Sequence, residues 1–248
     1  MEKGFVGYYL EPRVPLKLWR FAEDRRSRLI LALDFPDRSS TGGRSRSILD
    51  GCFRLLDSLK EYIVGVKIGF PLLFSIGVDG VKELVEDFKK ELYLLSDFKI
   101  GDIPEVARYA IKSLEDTGFD GATVHLFQGG LRRTVGDSIN LFGVLMMSHP
   151  EAVLFEKNFK ELIYEASEAR VDGVVIGATK KEYIQDVRKK LPQKTILCPG
   201  IVTQGAEPSQ ALRYGGDFEI VGRAITASTD PVISTRKLLE VERSVLQT

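Results

Sequence analysis

Eight short apolar segments recur along the chain, and stretches with helical spacing lie between them. The segments are Leu29–Leu33, Ile63–Val66, Leu92–Leu95, Gly121–Val124, Leu141–Met147, Gly173–Ile176, Thr195–Cys198 and Phe218–Val221. They are apolar throughout, as parallel strands covered on both faces must be. The intervening helices are predicted at Ile48–Tyr62, Val78–Lys90, Pro104–Thr117, Leu131–Asn140, Ala152–Arg170, Lys180–Lys190, around Ser209–Tyr214, and Pro231–Val245. Eight alternations of this kind predict an α/β chain folded as a single-domain (β/α)8 TIM barrel over residues 29–248. A doubly wound open sheet is the competing architecture. Its Gly-x-Gly-x-x-Gly turn after an early strand does not occur here. Residues 1–28 form an N-terminal extension whose aromatics, among them Phe5, Tyr8, Tyr9, Trp19 and Phe21, suit packing against the barrel. A Ser/Gly/Arg-rich stretch, Ser39–Ser47, reads as a mobile loop.

Charge narrows the function classes. The 35 basic and 35 acidic residues cancel, so no net field draws the chain to nucleic acid or to an anionic membrane. Charges interrupt every apolar run well short of a membrane span, and the N-terminus has no apolar core of signal-peptide type. Cys52 and Cys198 lie far apart, and His125 and His149 are the two histidines, so no metal-ligand spacing exists. These features fit a reduced, cytoplasmic setting with both cysteines used for packing. His125 reads as a hydrogen-bonded structural histidine, and His149 likewise lacks an evident catalytic partner.

In a barrel the carboxyl ends of all strands meet on one face. Asp34 ends the first strand, Lys67 the second, and Asp97 and Lys99 follow the third, with Asp102 on the loop beyond. Side chains alternate along a strand, so Asp97 and Lys99 are expected on one face and Phe98 on the other. Each pair alone reads as a surface ion pair worth little. Five charges converging on one face make a site in which carboxylates hold an ammonium charged, ready to protonate carbon. A second group follows strands seven and eight: Pro199-Gly200, Gln204-Gly205 and Gly222-Arg223. Barrels commonly hold phosphate there, and Arg223 suits a bidentate contact; an ordinary turn and a solvated arginine are the plainer reading. Ser148, in Met147-Ser148-His149-Pro150, offers a hydroxyl to a ligand's polar edge.

Taken together, these residues resemble the orotidine 5′-phosphate decarboxylase family. Asp97-Phe-Lys99-Ile-Gly-Asp102-Ile-Pro is similar to its Asp-x-Lys-x-x-Asp-Ile-Pro signature. Leu31-Ala-Leu-Asp34, Val66-Lys67-Ile-Gly69, Met147-Ser-His-Pro150, Pro199-Gly200 with Gln204-Gly205, and Val221-Gly222-Arg223 fall in the family's order, most like its archaeal branch. The resemblance implies decarboxylation of orotidine 5′-phosphate to UMP without metal or organic cofactor. It implies Lys99 as proton donor to carbon six, and Asp97 against the departing carboxylate. Asp102 would reach across from a second subunit of a homodimer toward Lys99 and the ribose. Asp34 and Lys67 would serve the ribose and the charged network. Ser148 would meet the pyrimidine, Gln204 would bridge base and phosphate, and Arg223 would grip the phosphate. One departure is Val106, where the family signature often continues to a Thr whose hydroxyl helps hold the ribose. Two other readings compete: a sister decarboxylase acting on a keto-sugar phosphate with Mg²⁺, which shares the charged frame, and a non-catalytic nucleotide-binding barrel.

Overall fold

Alternation along a strand sends one set of side chains into a barrel and the other toward the helices around it. The structure, a computed structural model, describes residues 15–34, 44–131, 139–169 and 171–246. In β1 (Leu29–Ala32), Ile30 and Ala32 join the inner cluster, whereas Leu29 and Leu31 pack outward. The same division runs through β2 (Gly65–Gly69), β3 (Tyr93–Ile100), β4 (Gly121–Val124), β5 (Asn140–Met146), β6 (Gly173–Ile176), β7 (Thr195–Pro199) and β8 (Phe218–Val221). All neighbours are parallel, and β8 pairs with β1, so the sheet closes as the predicted (β/α)8 barrel. Inner residues low in the barrel are apolar, among them Leu95, Phe142, Leu197 and Phe218. The rings of Tyr93 and Phe142 need space that only glycine leaves. A Cβ at Gly121 would lie 2.6 Å from the Tyr93 hydroxyl, and one at Gly173 would lie 2.7 Å from the Phe142 ring.

The amino ends of the strands are tied by a clamp that occurs three times among the described residues. Asp120, just before β4, accepts the Leu94 N–H of β3 at 2.8 Å and donates its own N–H to the Leu94 carbonyl at 2.9 Å. Asp172, before β6, does the same to Leu141 of β5, at 2.8 and 2.8 Å. Asp217, before β8, does so to Ile196 of β7, at 2.8 and 3.0 Å. Glu242 accepts the Arg28 N–H at the start of β1, 2.6 Å away. Strand-end N–H groups buried near the barrel floor thereby find partners.

Beneath this end lies α1 (Leu16–Arg25). Its Leu18, Phe21 and Ala22 enter the inner cluster. Polar contacts fix its angle: Lys17 Nζ donates to Asp120 at 2.6 Å, Trp19 Nε1 to Thr195 Oγ1 at 3.1 Å, and Arg25 to the carbonyls of Ile63 and Glu91. Residues 1–14, including Phe5, Tyr8 and Tyr9, lie outside the described residues.

Several helices differ from their predicted bounds. α2 (Arg44–Leu59) begins inside the predicted Ser39–Ser47 loop, the rest of which lies outside the described residues. α3 (Phe70–Phe88) starts before Val78 and breaks at Gly77, where φ is 73°. α4 (Pro104–Thr117) matches its prediction, with proline in its first turn and Gly118 as a left-handed cap. Of the predicted Leu131–Asn140 helix, residues 132–138 lie outside the described residues, and Asn140 belongs to β5. The long helix predicted at Ala152–Arg170 is two, α5 (Val153–Lys157) and α6 (Phe159–Glu168). They part at Asn158, whose side chain donates to the Leu154 carbonyl and competes with the helical ladder. α7 (Lys181–Lys190), α8 (Gln210–Arg213), the short α9 (Arg223–Thr226) and α10 (Pro231–Leu246) complete the ring. Among the described residues, no helix is long and apolar enough to cross a membrane.

Candidate active site

Near the carboxyl ends of the strands the inner positions change from apolar to charged. Lys67 on β2 is buried, and its Nζ lies 3.0 Å from Asp34 Oδ2 and 3.1 Å from Asp97 Oδ2. Lys99 Nζ lies 2.7 Å from Asp97 Oδ1. Four charges thus form one chain, Asp34–Lys67–Asp97–Lys99. Burial works against the Lys67 ammonium, but Asp97 and Asp34 outweigh it and hold its pKa above the ordinary lysine value. Burial also works against the Asp97 carboxylate, yet Lys67 and Lys99 lower its pKa to about 2. Asp97 is therefore ionised at any physiological pH.

The route by which Asp97 and Lys99 meet differs from simple strand alternation. β3 runs on to Ile100, and its pairing with β4 slips: Ser96 pairs with Ala122, but the next pair is Ile100 with Val124. Lys99 sits in the excess, with φ at 46°. This left-handed residue turns the backbone where an extended strand would have carried it straight. Asp102 does not join the cluster within the chain. Its exposed carboxylate accepts the N–H of Ile103 at 2.7 Å, outside the cleft. Past β3 the chain is turned away at Gly101, where a Cβ would press on the His125 ring at 3.2 Å.

Gly200 has φ of 105°, and a Cβ there would lie 2.7 Å from Gln204 Oε1 and 3.4 Å from Ser148 Cβ. Glycine at this position lets the loop after β7 bring Gln204 over Ser148. Ser148 is held from behind by the loop after β6: Thr179 Oγ1 donates to its carbonyl at 3.3 Å, and a Cβ at Gly177 would strike its backbone. A cleft of about 510 Å³ unites these parts. Asp34, Lys67, Asp97 and Lys99 line it together with Ser148, Pro199, Gln204, Gly222 and Arg223. Gly205, with φ of 98°, shapes the loop and does not line the cleft.

The two histidines sit in different settings. His149 stands exposed at the rim of the cleft. His125 packs between Phe127 and Phe155, and its Nδ1 is buried with no hydrogen-bond partner among the described residues. Burial, then Lys99, lowers its pKa against the opposing pull of Asp97, which disfavours the charged ring. Thr123, which lines the cleft and bonds to Asp97, carries no motif in the sequence and was not foreseen. Cys52 and Cys198 are buried and free.

A closed barrel that gathers ion-paired carboxylates and ammonium groups at the carboxyl ends of its strands, in a cleft shared with a serine, a glutamine and an arginine, defines a barrel enzyme of the kind that keeps its chemistry on that face. The chain belongs to the orotidine 5′-phosphate decarboxylase / HUMPS family, whose model matches residues 27–238. It is 33% identical to the orotidine 5′-phosphate decarboxylase of Methanococcoides burtonii, over 88% of this chain and 98% of that one. Its fold is similar to the crystal structure of orotidine 5′-monophosphate decarboxylase from Metallosphaera sedula, with a TM-score of 0.75 and 31% identity over 88% of this chain and 99% of that one. It also resembles the Methanocaldococcus jannaschii enzyme complexed with the inhibitor BMP, with a TM-score of 0.72 and 27% identity over 86% and 97% of the two chains.

Proposed function

We propose that the chain decarboxylates orotidine 5′-phosphate to UMP and CO2, with Lys99 as proton donor and with no metal or organic cofactor. The observation that carries this reading is the Asp34–Lys67–Asp97–Lys99 chain, sharing one cleft with Ser148, Gln204 and Arg223. In the reaction the bond from ring carbon six to the carboxylate breaks, CO2 leaves, and the electron pair stays on carbon. Lys99 Nζ gives that carbon a proton, and the amine regains one from solvent.

A vinyl-type carbanion has no good resonance sink, so a fixed positive charge beside it does most to lower the barrier. Asp97 holds that charge in place and sets a second anion against the substrate carboxylate. Carboxylate-to-carboxylate repulsion is relieved as CO2 departs. Stabilisation on the order of 20 kcal/mol is required for a reaction this slow in water. Arg223 and Gln204 supply part of it remotely, by gripping the phosphate and drawing the loop over the ring. Asp34 Oδ1, buried with no hydrogen-bond partner among the described residues, suits a ribose hydroxyl.

The same reading makes the enzyme a cytoplasmic homodimer. Asp102 is turned from its own Lys99, as a group serving a neighbouring subunit must be. Exposed apolar side chains occur on α3, at and within α4 and after β4, namely Phe74 at 82%, Ile103 at 61%, Tyr109 at 77% and Phe127 at 64%, and exposed apolar surface favours self-association. Val106 on α4 brings no hydroxyl to the ribose.

Purified protein mixed with orotidine 5′-phosphate and EDTA, followed by pyrimidine absorbance, tests the proposal. Turnover is expected. Well-folded protein that binds UMP without turnover selects the non-catalytic barrel. A strict Mg²⁺ requirement with sugar-phosphate turnover selects the sister decarboxylase.

A further inference from the structure

Thr123 stands on β4 beside the slipped part of β3, and its side chain is buried, 2% exposed. Its Oγ1 lies 3.0 Å from the backbone nitrogen of Lys99 and 3.0 Å from Asp97 Oδ1. The direction of both bonds is fixed by valence. A backbone N–H only donates, an ionised carboxylate only accepts, and the hydroxyl has one proton. The chain therefore runs from Lys99 N–H to the Thr123 hydroxyl to Asp97, and such chains strengthen each bond they contain.

These bonds fall where the regular pairing of β3 with β4 is interrupted. Regular pairing of β3 with β4 stops at Ser96 and Ala122 and resumes at Ile100 and Val124, where the His125 N–H donates to the Ile100 carbonyl at 2.8 Å. Between those points Lys99 holds a left-handed conformation, φ 46°, which a residue with a Cβ resists. Asp97 is meanwhile pulled three ways, with Oδ2 toward Lys67 at 3.1 Å and Oδ1 toward both Lys99 at 2.7 Å and Thr123 at 3.0 Å.

We propose that Thr123 is a positioning residue: its hydroxyl fixes the left-handed turn at Lys99 and the rotamer of Asp97 together, aiming the Lys99 ammonium along the cleft. The effect on turnover rests on the decarboxylase reading, whereas the effect on geometry does not. A threonine kept only for packing would be replaced without consequence by valine, which has the same shape and no hydroxyl. A positioning threonine would be replaced by serine, which keeps the hydroxyl and loses a methyl.

Thr123→Val and Thr123→Ser, each in the full chain, separate the two. Loss of a hydrogen bond to a charged group predicts a drop in kcat of about 10- to 100-fold for Thr123→Val, with KM moving less than about threefold. Thr123→Ser is expected to stay within about threefold of the parent in both constants. Crystal structures of the parent and of Thr123→Val give a readout independent of turnover. Lys99 is expected to leave the left-handed region in the variant, or its Nζ to draw away from Asp97 beyond about 3.5 Å. Parental kcat in Thr123→Val, or an equal loss in Thr123→Ser, overturns the proposal. Should the parent chain fail to turn over orotidine 5′-phosphate, the decarboxylase reading falls. The two crystal structures then decide Thr123 alone, and an unmoved Lys99 overturns its role.

Discussion

Lys99 Nζ stands 2.7 Å from Asp97 Oδ1, although only Phe98 separates the two residues in sequence. The left-handed turn at Lys99 makes the approach, and Lys67 on the far oxygen keeps Asp97 from following Lys99 outward. One carboxylate therefore holds two ammonium groups at fixed places, one inside the barrel and one at its mouth.

Removing the outer ammonium tests its role directly. Lys99→Ala is expected to keep its melting temperature, because Asp97 retains Lys67, and to lose at least about 10³-fold in turnover, the scale of a proton donor combined with an electrostatic stabiliser. Stopped absorbance assays beside a thermal melt check both halves. Near-parental turnover would remove Lys99 from the mechanism.

Arg223 lines the cleft at the start of α9. Arg223→Ala should weaken UMP binding about 10- to 100-fold through loss of charge-assisted bonds to phosphate. Uridine, which lacks the phosphate, should bind both proteins alike. Calorimetric titration with each ligand measures the difference, and an equal loss for uridine would place Arg223 elsewhere.

Glu219 and Glu242 are buried, and burial raises both pKa values from 4.5 to about 7. The folded state then holds protons that the unfolded state has released. Their contribution to stability is complete below about pH 4.5 and is lost as pH rises through about 7. Asp97 acts in the opposite sense, its contribution present above about pH 4 and lost as pH falls through about 2. Glu242→Gln should flatten the decline between pH 4.5 and 7 by about 1–3 kcal/mol. Urea unfolding at stepped pH reads this slope, and an unchanged slope would show that Glu242 does not carry it.

Tyr109→Glu places a charge on an exposed position of α4, the helix that follows Asp102. It should shift the protein from dimer to monomer in sedimentation velocity, with turnover falling in step as Asp102 is withdrawn from its neighbour. A monomeric variant of full activity would confine the site to one chain.

The barrel was legible because its strands are apolar on both faces, a pattern that few other architectures sustain eight times. The positions of Asp34, Lys67 and Asp97 followed from where those runs stop. Lys99 was placed correctly for an incomplete reason, since strand alternation does not describe a residue at φ 46° in a slipped pairing. Thr123 was hidden because a threonine inside an apolar strand has the signature of any β-branched core residue. The break at Asn158 and the early start of α3 depend on a side-chain bond and on a glycine whose conformation the spacing does not reveal.

Asp120, Asp172 and Asp217 fasten three alternate seams of the barrel at the pole far from Lys99, each through both of its hydrogen-bonding edges. Such lacing leaves the opposite pole at liberty. Replacements like Val106, or lengthened loops above the mouth, can accumulate without loosening the frame beneath them. Chemistry and rigidity are thus kept by separate sets of residues, and lineages can alter one while preserving the other.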